Sequence, residues 1–132
     1  MSERGLLDTS VVIDWYDDDV QAGMPEEAAV SVVTFAELAA GPHLTDDPAE
    51  RARRQARLQQ VEVLFDPLPV DASAARSYGQ VIAAVVTAGR QPRRRVADLL
   101  IAAVAHSNRL PLYTRNPDDF RGLDDLLTIV ML

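Results

Sequence analysis

Acidic residues recur along this chain at points where a helix is expected to begin. The sites are Asp8, Glu37, Asp98 and the adjacent pair Asp118-Asp119. All but Asp98 follow an apolar, strand-like stretch, so in a parallel sheet they would meet at the edge where open α/β sheets bind ligands. Carboxylates gathered in a small volume repel one another unless a cation neutralises them. The pattern therefore predicts a divalent-metal site.

The elements that must position these acids alternate between strands and helices. Apolar runs predict strands at 5–7, at 28–33, within 61–70, closing at 113, and at 126–131. Helical spacing and capping residues predict helices at 9–16, 35–40, 47–60, 71–89 and 96–107, with a loop at 17–25 and a turn or short helix from 116. We therefore expect an α/β fold: a single domain over residues 1–132 with a central parallel sheet of about five strands flanked by helices. Pro67 and Pro69 place the third of these strands at a sheet edge.

The composition excludes several kinds of chemistry. The 132-residue chain has no cysteine, and all thirteen of its basic residues are arginine. Without cysteine there is no disulfide, thiolate zinc site or cysteine nucleophile. Without lysine there is no Schiff-base chemistry and no P-loop. Receiver-type phospho-acceptor domains and haloacid-dehalogenase-type phosphatases also gather aspartates at strand ends, but each relies on a lysine that is absent here. His43 and His106 lack metal-ligand spacing, which disfavours zinc.

Charge and hydropathy bear on location and partners. No apolar run reaches the roughly 18 residues that span a membrane. The first residues, 1–4, lead straight into a strand, so no signal peptide is expected and the predicted location is cytoplasmic. The net charge of −7 argues against nucleic-acid binding through overall charge. Arginines nevertheless cluster at 51–57 and 90–95. The first cluster is typical of a solvated helix face, whereas the second enters the helix of Asp98 and would flank the metal site.

Each acid also has a plain structural interpretation. Asp8 could cap the helix that follows it, and Thr34 with Glu37 fits a capping box. Carboxylates in a first helical turn, such as Asp98, interact favourably with the helix dipole. However, Asp98 interrupts a very apolar helix, where a buried carboxylate needs a partner. Asp71 occupies a similar junction, but the prolines before it place it far from the cluster, and we leave it out.

Four blocks of sequence resemble the signature motifs of PIN-domain ribonucleases, in the family's order and spacing over essentially the whole chain. They are residues 6–11, residues 34–38 with Gly41, residues 98–103 and residues 114–120. Within that family the chain is most similar to VapC-type toxins of bacterial toxin–antitoxin pairs. The resemblance implies a Mg²⁺- or Mn²⁺-dependent endoribonuclease that acts on RNA. It also implies inhibition by a cognate VapB-like antitoxin and a homodimer or a toxin–antitoxin hetero-oligomer.

The resemblance assigns roles when it is carried over block by block. The residues implied to be catalytic and to hold metal are Asp8, Glu37, Asp98 and Asp119. The last block selects Asn116 and Asp119 and leaves Asp118 as a variable neighbour. Because Mg²⁺ accepts few direct carboxylates, Asp8 and Asp98 are the expected direct ligands. Glu37 and Asp119 would orient metal-bound waters or help to hold a second ion.

Supporting contacts are expected around these acids. Asn116 would hydrogen-bond a carboxylate or a water, while Thr9 and Ser10 would offer hydroxyl and backbone N–H groups to phosphate. The expected contacts to the RNA backbone are Arg93, Arg94, Arg95 and Arg115. An antitoxin tail would lay an apolar segment over the helices at 35–60 and send a cationic side chain into the carboxylate cluster.

Two other classes of function are alternatives. A catalytically silent PIN-like binding module would have lost one or more acids, whereas all four positions are filled. A metal-dependent phosphohydrolase for small phosphate esters would share the acids and differ in its substrate. Cleavage of a structured RNA, compared with a chromogenic phosphate ester, separates these classes.

Overall fold

Four parallel strands form one sheet in the order β2-β1-β3-β4. The computed structural model describes residues 3–132, so the expectation that rests on Met1 and Ser2 lies outside the described residues. The strands are β1 (Arg4–Leu7), β2 (Glu27–Ala29), β3 (Leu112–Thr114) and β4 (Ile129–Met131). The predicted parallel α/β fold is confirmed, with one strand fewer than expected.

Helices flank the sheet on both sides. They are α1 (Thr9–Ile13), α2 (Asp18–Gly23), α3 (Val32–Ala40), α4 (Pro48–Leu64), α5 (Ala72–Thr87) and α6 (Val96–Ser107), with 3₁₀ turns at Gly41–Leu44, Pro92–Arg95 and Pro117–Phe120. Asp71 caps α5 as predicted, since its carboxylate accepts a hydrogen bond from the N–H of Ala74 at 2.9 Å. Within residues 3–132, no helix is both long and apolar enough to cross a membrane.

The core has two halves, one on each face of the sheet. Alternate strand residues point to opposite faces, so Leu6 and Leu112 pack with α5 and α6. Leu7 and Tyr113 pack on the other face with α1, α3 and α4. All four of these side chains are almost completely buried. Burial on both faces explains why the strands read as apolar runs without polar alternation.

The predicted strand within 61–70 is wrong, because α4 continues through the start of that range. Val61 is 5% exposed whereas Val63 is 86% exposed. Residues two apart share a face in a strand, so this difference identifies helical spacing. Further along, Leu68 forms an isolated parallel bridge to Ser31. Prolines on both sides of Leu68 have no N–H with which to extend that bridge.

The start of α3 also differs from the prediction. The strand ends at Ala29, and the helix begins at Val32 with Ser31 as its N-cap. The Oγ of Ser31 accepts the hydrogen bond from the N–H of Thr34 at 3.3 Å. The alternative interpretation of Thr34 and Glu37 as a capping box is therefore wrong, because Ser31 is the cap and Glu37 lies in the second turn of the helix.

The first helix was predicted to span residues 9–16 and to be followed by a loop at 17–25. The structure ends α1 at Ile13 and forms the short helix α2 within the expected loop. Asp18 and Asp19 lie in the first turn of α2, where carboxylates interact favourably with the helix dipole. The aspartate run that suggested a loop is thus a helix start.

Two glycines offer a matched test of the packing. A Cβ at Gly5 would lie 2.3 Å from the ring of Tyr113, whereas one at Gly79 in α5 would meet nothing within 4 Å. We expect Gly5→Ala to destabilise the fold by about 1–3 kcal/mol through overpacking. Gly79→Ala should stabilise it by about 0.5–1 kcal/mol, since alanine restricts the unfolded chain and favours the helix. Urea unfolding of both variants checks this, and equal shifts would contradict the packing at Gly5.

Candidate active site

The acids selected from the sequence converge at the carboxyl edge of the sheet. Asp8 follows β1, Asp119 lies in the turn after β3, Asp98 lies in the first turn of α6 and Glu37 in the second turn of α3. Burial, and then the charges of Asp119, Glu37 and Asp8, raise the pKa of Asp98 to about 6, while Arg95 opposes the shift. Side chains from four elements therefore share one electrostatic environment.

Asp8 is the most firmly held of these acids. It is 4% exposed, and its Oδ1 accepts hydrogen bonds from the Oγ of Ser10 at 2.6 Å and the N–H of Val11 at 3.3 Å. Its Oδ2 accepts from the Oγ1 of Thr114 at 2.6 Å. Burial raises the pKa of Asp8, and these hydrogen bonds oppose the shift. Asp8 thus caps α1 as the plain interpretation held, and it faces the other acids as well.

Thr114 was missed by the sequence reasoning. It ends β3, which pairs in parallel with β1 and so brings its hydroxyl beside Asp8. A hydroxyl residue directly after an apolar strand is the signal that could have identified it, once β1 and β3 were assigned as neighbours. The residue was overlooked because strand order is not written in the local sequence.

Glu37 is exposed, and a hydroxyl from α1 holds it. The Oγ1 of Thr9 donates a hydrogen bond to Oε1 of Glu37 at 2.6 Å. The same Oγ1 lies 3.0 Å from the Oγ1 of Thr34. Since Ser10 donates to Asp8, the hydroxyl protons of Thr9 and Ser10 are directed at acids and not at an incoming phosphate. Both hydroxyls are therefore bonded to acids in the structure, and the expected contact of Thr9 and Ser10 with phosphate stays a prediction.

Asp119 and Asp98 line an open groove of about 460 Å³. The rest of the lining comes from the arginine loop: Arg90, Gln91, Arg94 and Arg95. The guanidinium of Arg95 bonds Oδ1 of Asp119 at 2.6 Å. Asp118 points away and pairs with Arg121 at 2.8 Å, which lowers the pKa of Asp118. The geometry thus places Asp119, and not its neighbour, beside Asp98.

Arg115 and Asn116 follow β3 directly, and the expected roles of their side chains stay predictions. The guanidinium of Arg115 pairs with the carboxylates of Asp14, Asp17 and Asp19 at 3.6, 3.5 and 3.0 Å. Arg115 therefore links the residue after β3 to the end of α1 and the start of α2, and its contact with RNA stays a prediction. Asn116 is exposed, and its backbone N–H donates to the Oγ1 of Thr114 at 2.9 Å.

The cluster fits a hard divalent cation in the chemistry of its donors. All four acids offer carboxylate oxygens, which suit Mg²⁺ and Mn²⁺, and their mutual repulsion is visible in the raised pKa of Asp98. In the part of the chain that the structure describes, no group of three acidic or histidine side chains is arranged around a single ion position. Arg95 supplies the positive charge beside Asp119. Direct coordination by Asp8 and Asp98 stays a prediction.

Together the fold and the cluster define a parallel α/β domain with an acidic centre at the carboxyl edge of its sheet. The chain belongs to the PIN domain family, whose model matches residues 5–126. It is similar to the ribonuclease VapC5 of Mycobacterium tuberculosis, with 38% identity over 130 residues that cover 97% of this chain and 93% of that protein. It is also similar to the ribonuclease VapC8 of the same organism, with 37% identity over 101 residues that cover 76% of this chain and 89% of the relative.

Solved structures show the same architecture. A VapBC-5 toxin–antitoxin structure from Mycobacterium tuberculosis has a chain that superimposes with a TM-score of 0.85 at 39% identity, covering 98% of both chains. The FitAcB structure from Neisseria gonorrhoeae gives a TM-score of 0.76 at 28% identity, covering 96% of both chains. The family resemblance predicted from the four sequence blocks is confirmed.

The raised pKa of Asp98 predicts a pH dependence of stability. The pKa of Asp98 is about 6 in the folded state and has its ordinary value near 3.8 in the unfolded chain. The folded state therefore binds this proton more tightly than the unfolded state does. The stabilisation from that proton is present below about pH 4 and is lost as the pH rises through about 6. We compare the free energies of unfolding of Asp98→Asn and the parent in chelator. The difference, variant minus parent, should increase by about 1–2 kcal/mol as the pH rises from about 4 to 7, because only the parent loses the stabilising proton. Urea titrations at several pH values measure the difference, and a flat difference would refute the shift.

Proposed function

We propose that this chain is a VapC-type toxin: a metal-dependent endoribonuclease that a cognate VapB-like antitoxin neutralises. The observation that carries the proposal is the convergence of Asp8, Glu37, Asp98 and Asp119 at the carboxyl edge of a PIN-family sheet. The names of the similar ribonucleases support RNA as the substrate, and the toxin–antitoxin structure supports an antitoxin partner. A cytoplasmic location and a homodimer or hetero-oligomer are part of the same proposal.

The acids have distinct tasks in this proposal. Asp8 and Asp98 would hold Mg²⁺ or Mn²⁺ directly, and the ion would supply a Lewis acid and a water of lowered pKa for phosphodiester hydrolysis. Asp8 is oriented by its hydrogen bonds to Ser10, Val11 and Thr114. Asp98, with its pKa near 6, is ionised at neutral pH and can then act as a ligand. Glu37 and Asp119 would orient metal-bound waters or help to hold a second ion.

The arginine loop is the proposed contact for the RNA backbone. Arg94 lines the groove that contains Asp98 and Asp119, and Arg95 already bonds Asp119. Arg93 lies on the same exposed 3₁₀ turn. The acidic cluster and the net charge of −7 both repel the phosphates of RNA. The positive charges of the loop offset this repulsion beside the site. The loop thus supplies local attraction that the overall charge does not.

An apolar groove between α1 and α4 is the proposed binding site for the antitoxin. It has a volume of about 210 Å³, and its lining includes Ile13, Trp15, Tyr16, Val61, Leu64 and Phe65. Ile13, Tyr16 and Leu64 are 46%, 74% and 53% exposed. A neighbouring groove shares Ile13 and Arg57 with it and reaches Glu37. An amphipathic segment bound here could therefore extend into the acidic cluster. The groove is formed by α4 and α1, whereas α4 and α3 were the helices expected to bind the antitoxin.

Cleavage by the purified chain tests the proposal. The chain is incubated with a structured RNA in Mg²⁺, in Mn²⁺ and in chelator, and in parallel with a chromogenic phosphate ester. We expect internal cuts in the RNA with either metal, none in chelator, and little hydrolysis of the ester. Hydrolysis of the ester alone would favour the phosphohydrolase alternative. No hydrolysis of either substrate would favour a silent binding module.

A further inference from the structure

The hydroxyl of Thr34 has no role in the function described above, although it contacts the active-site network. Thr34 is 0% exposed and lies in the first turn of α3. Glu37 follows three residues later on the same helix, so both side chains point to the same side. Between them lies Thr9 of α1, whose Oγ1 is 3.0 Å from the Oγ1 of Thr34 and 2.6 Å from Oε1 of Glu37. Three side chains therefore form one short chain of hydrogen bonds.

Counting protons fixes the direction of that chain. An ionised carboxylate accepts hydrogen bonds and cannot donate, and a hydroxyl carries a single proton. The proton of Thr9 is used in its bond to Glu37. The contact between the two threonines can then be a hydrogen bond only if Thr34 donates and Thr9 accepts. The direction is therefore from Thr34 through Thr9 to Glu37.

The same arrangement holds Asp8. Ser10 and Thr114 each donate their hydroxyl proton to Asp8, and each accepts a backbone N–H: Ser10 from Arg115 at 3.1 Å, and Thr114 from Asn116 at 2.9 Å. Each hydroxyl that holds an acid is thus itself fixed by a donor. For Thr9 this donor is the side chain of Thr34, which a point substitution can remove without touching the backbone.

We propose that Thr34 is a positioning residue for the reaction: its hydroxyl orients Thr9, which in turn holds Glu37 toward the acidic cluster. The inference rests on the proposed ribonuclease function. Glu37 is exposed and its side chain has several rotamers available, so its direction depends on what holds it. Thr34, in contrast, is fully buried, and its backbone N–H is held by the helix cap Ser31. The hydroxyls of Thr34 and Thr9 therefore connect the exposed carboxylate of Glu37 to a buried residue.

The test compares three variants by steady-state cleavage of a short RNA that the parent cuts, in saturating Mn²⁺. Thr34→Val keeps the shape of the side chain and deletes the hydroxyl, whereas Thr34→Ser keeps the hydroxyl. Ser77→Ala is the matched control, because Ser77 is also a buried helical hydroxyl residue but bonds His106 at 2.9 Å, away from the acids. Thermal melts of all the variants are measured alongside, and Thr34→Ala provides the same deletion if Thr34→Val does not fold.

We expect Thr34→Val to lower kcat by roughly 5- to 10-fold, the effect of losing one hydrogen bond, with KM unchanged. Thr34→Ser should restore kcat to near the parent value, and Ser77→Ala should leave kcat unchanged. A parent-like kcat in Thr34→Val would overturn the inference, as would a Thr34→Ser variant as slow as Thr34→Val. An equal loss in Ser77→Ala would also overturn it. The proposed function is judged separately, because it requires that the parent cleaves and that Asp98→Asn does not.

Discussion

Asp98→Asn should lower the rate of RNA cleavage by about two to three orders of magnitude while the fold survives. The amide keeps the size of the side chain but removes the charge that would hold a cation, at the position whose pKa responds to all three other acids. Initial rates of cleavage of a defined RNA, in saturating Mg²⁺ or Mn²⁺, measure the effect. Circular dichroism confirms that the variant is folded.

Asp71→Asn is the matched control for this result. Asp71 is also an aspartate at a helix start, where it accepts a hydrogen bond from Ala74, but it lies outside the acidic centre. Asparagine is a good N-cap residue, so cleavage by this variant should stay near the parent rate. Equal losses from the two substitutions would mean that Asp98 matters only for the fold.

Thermal melts give a second measure of the same substitution that does not depend on cleavage. A divalent ion at ten times its dissociation constant should stabilise the parent by about 1.4 kcal/mol. That free energy corresponds to a rise of roughly 2–8 °C in melting temperature. Asp98→Asn should respond little to Mn²⁺, and in chelator it should be at least as stable as the parent. A parent that does not respond to metal, with a less stable variant, would make Asp98 a structural residue.

Leu64→Glu should weaken binding of the antitoxin by roughly 30-fold or more, because it places an unpaired charge inside the apolar groove between α1 and α4. Leu64 lines that groove and is 53% exposed in the free chain, so the substitution should leave the fold and the cleavage rate intact. Isothermal titration with the cognate VapB-like antitoxin of the proposed function measures the change in affinity. In cells, co-expressed antitoxin should no longer relieve growth arrest.

Val63→Glu is the control for the groove. Val63 is the preceding residue of the same helix and is 86% exposed. A glutamate there adds the same charge to α4 in solvent, so the affinity for antitoxin should stay within about threefold of the parent's, as for a residue outside the interface. Similar losses from both variants would show that the antitoxin binds elsewhere and that overall charge caused the effect.

Local signals in the sequence were sufficient for much of the fold. The aspartates before α1 and α5 are helix caps, as expected from residue type alone. The valine and leucine runs gave the parallel sheet, because buried parallel strands lack polar alternation. The turn after Asn116 was also predicted. In each case, the residue type or the local pattern indicates the element, whereas the order of the strands in the sheet depends on distant contacts.

The remaining differences depend on contacts between distant residues or on competing local choices. Ser31 and Thr34 are both residue types that cap helices, and the structure uses Ser31. The 61–70 segment satisfies strand propensity, but packing of Val61 in the core makes its start helical. The ion pair of Arg115 with Asp19 joins residues that are 96 positions apart. No local pattern indicates such a pair.

The hydrogen bond from Thr114 to Asp8 has a consequence for the newly made protein, since it joins residues that are 106 positions apart. A ribosome that adds about 5–20 residues per second needs about 5–20 s to supply the second partner after the first. Asp119 appears later still. A chain interrupted between α6 and β3 therefore carries Asp8, Glu37 and Asp98 but lacks Thr114 and Asp119, and a shorter chain lacks more of the acidic centre. If the proposed function holds, activity requires the nearly finished chain, and short translation products are expected to be inactive.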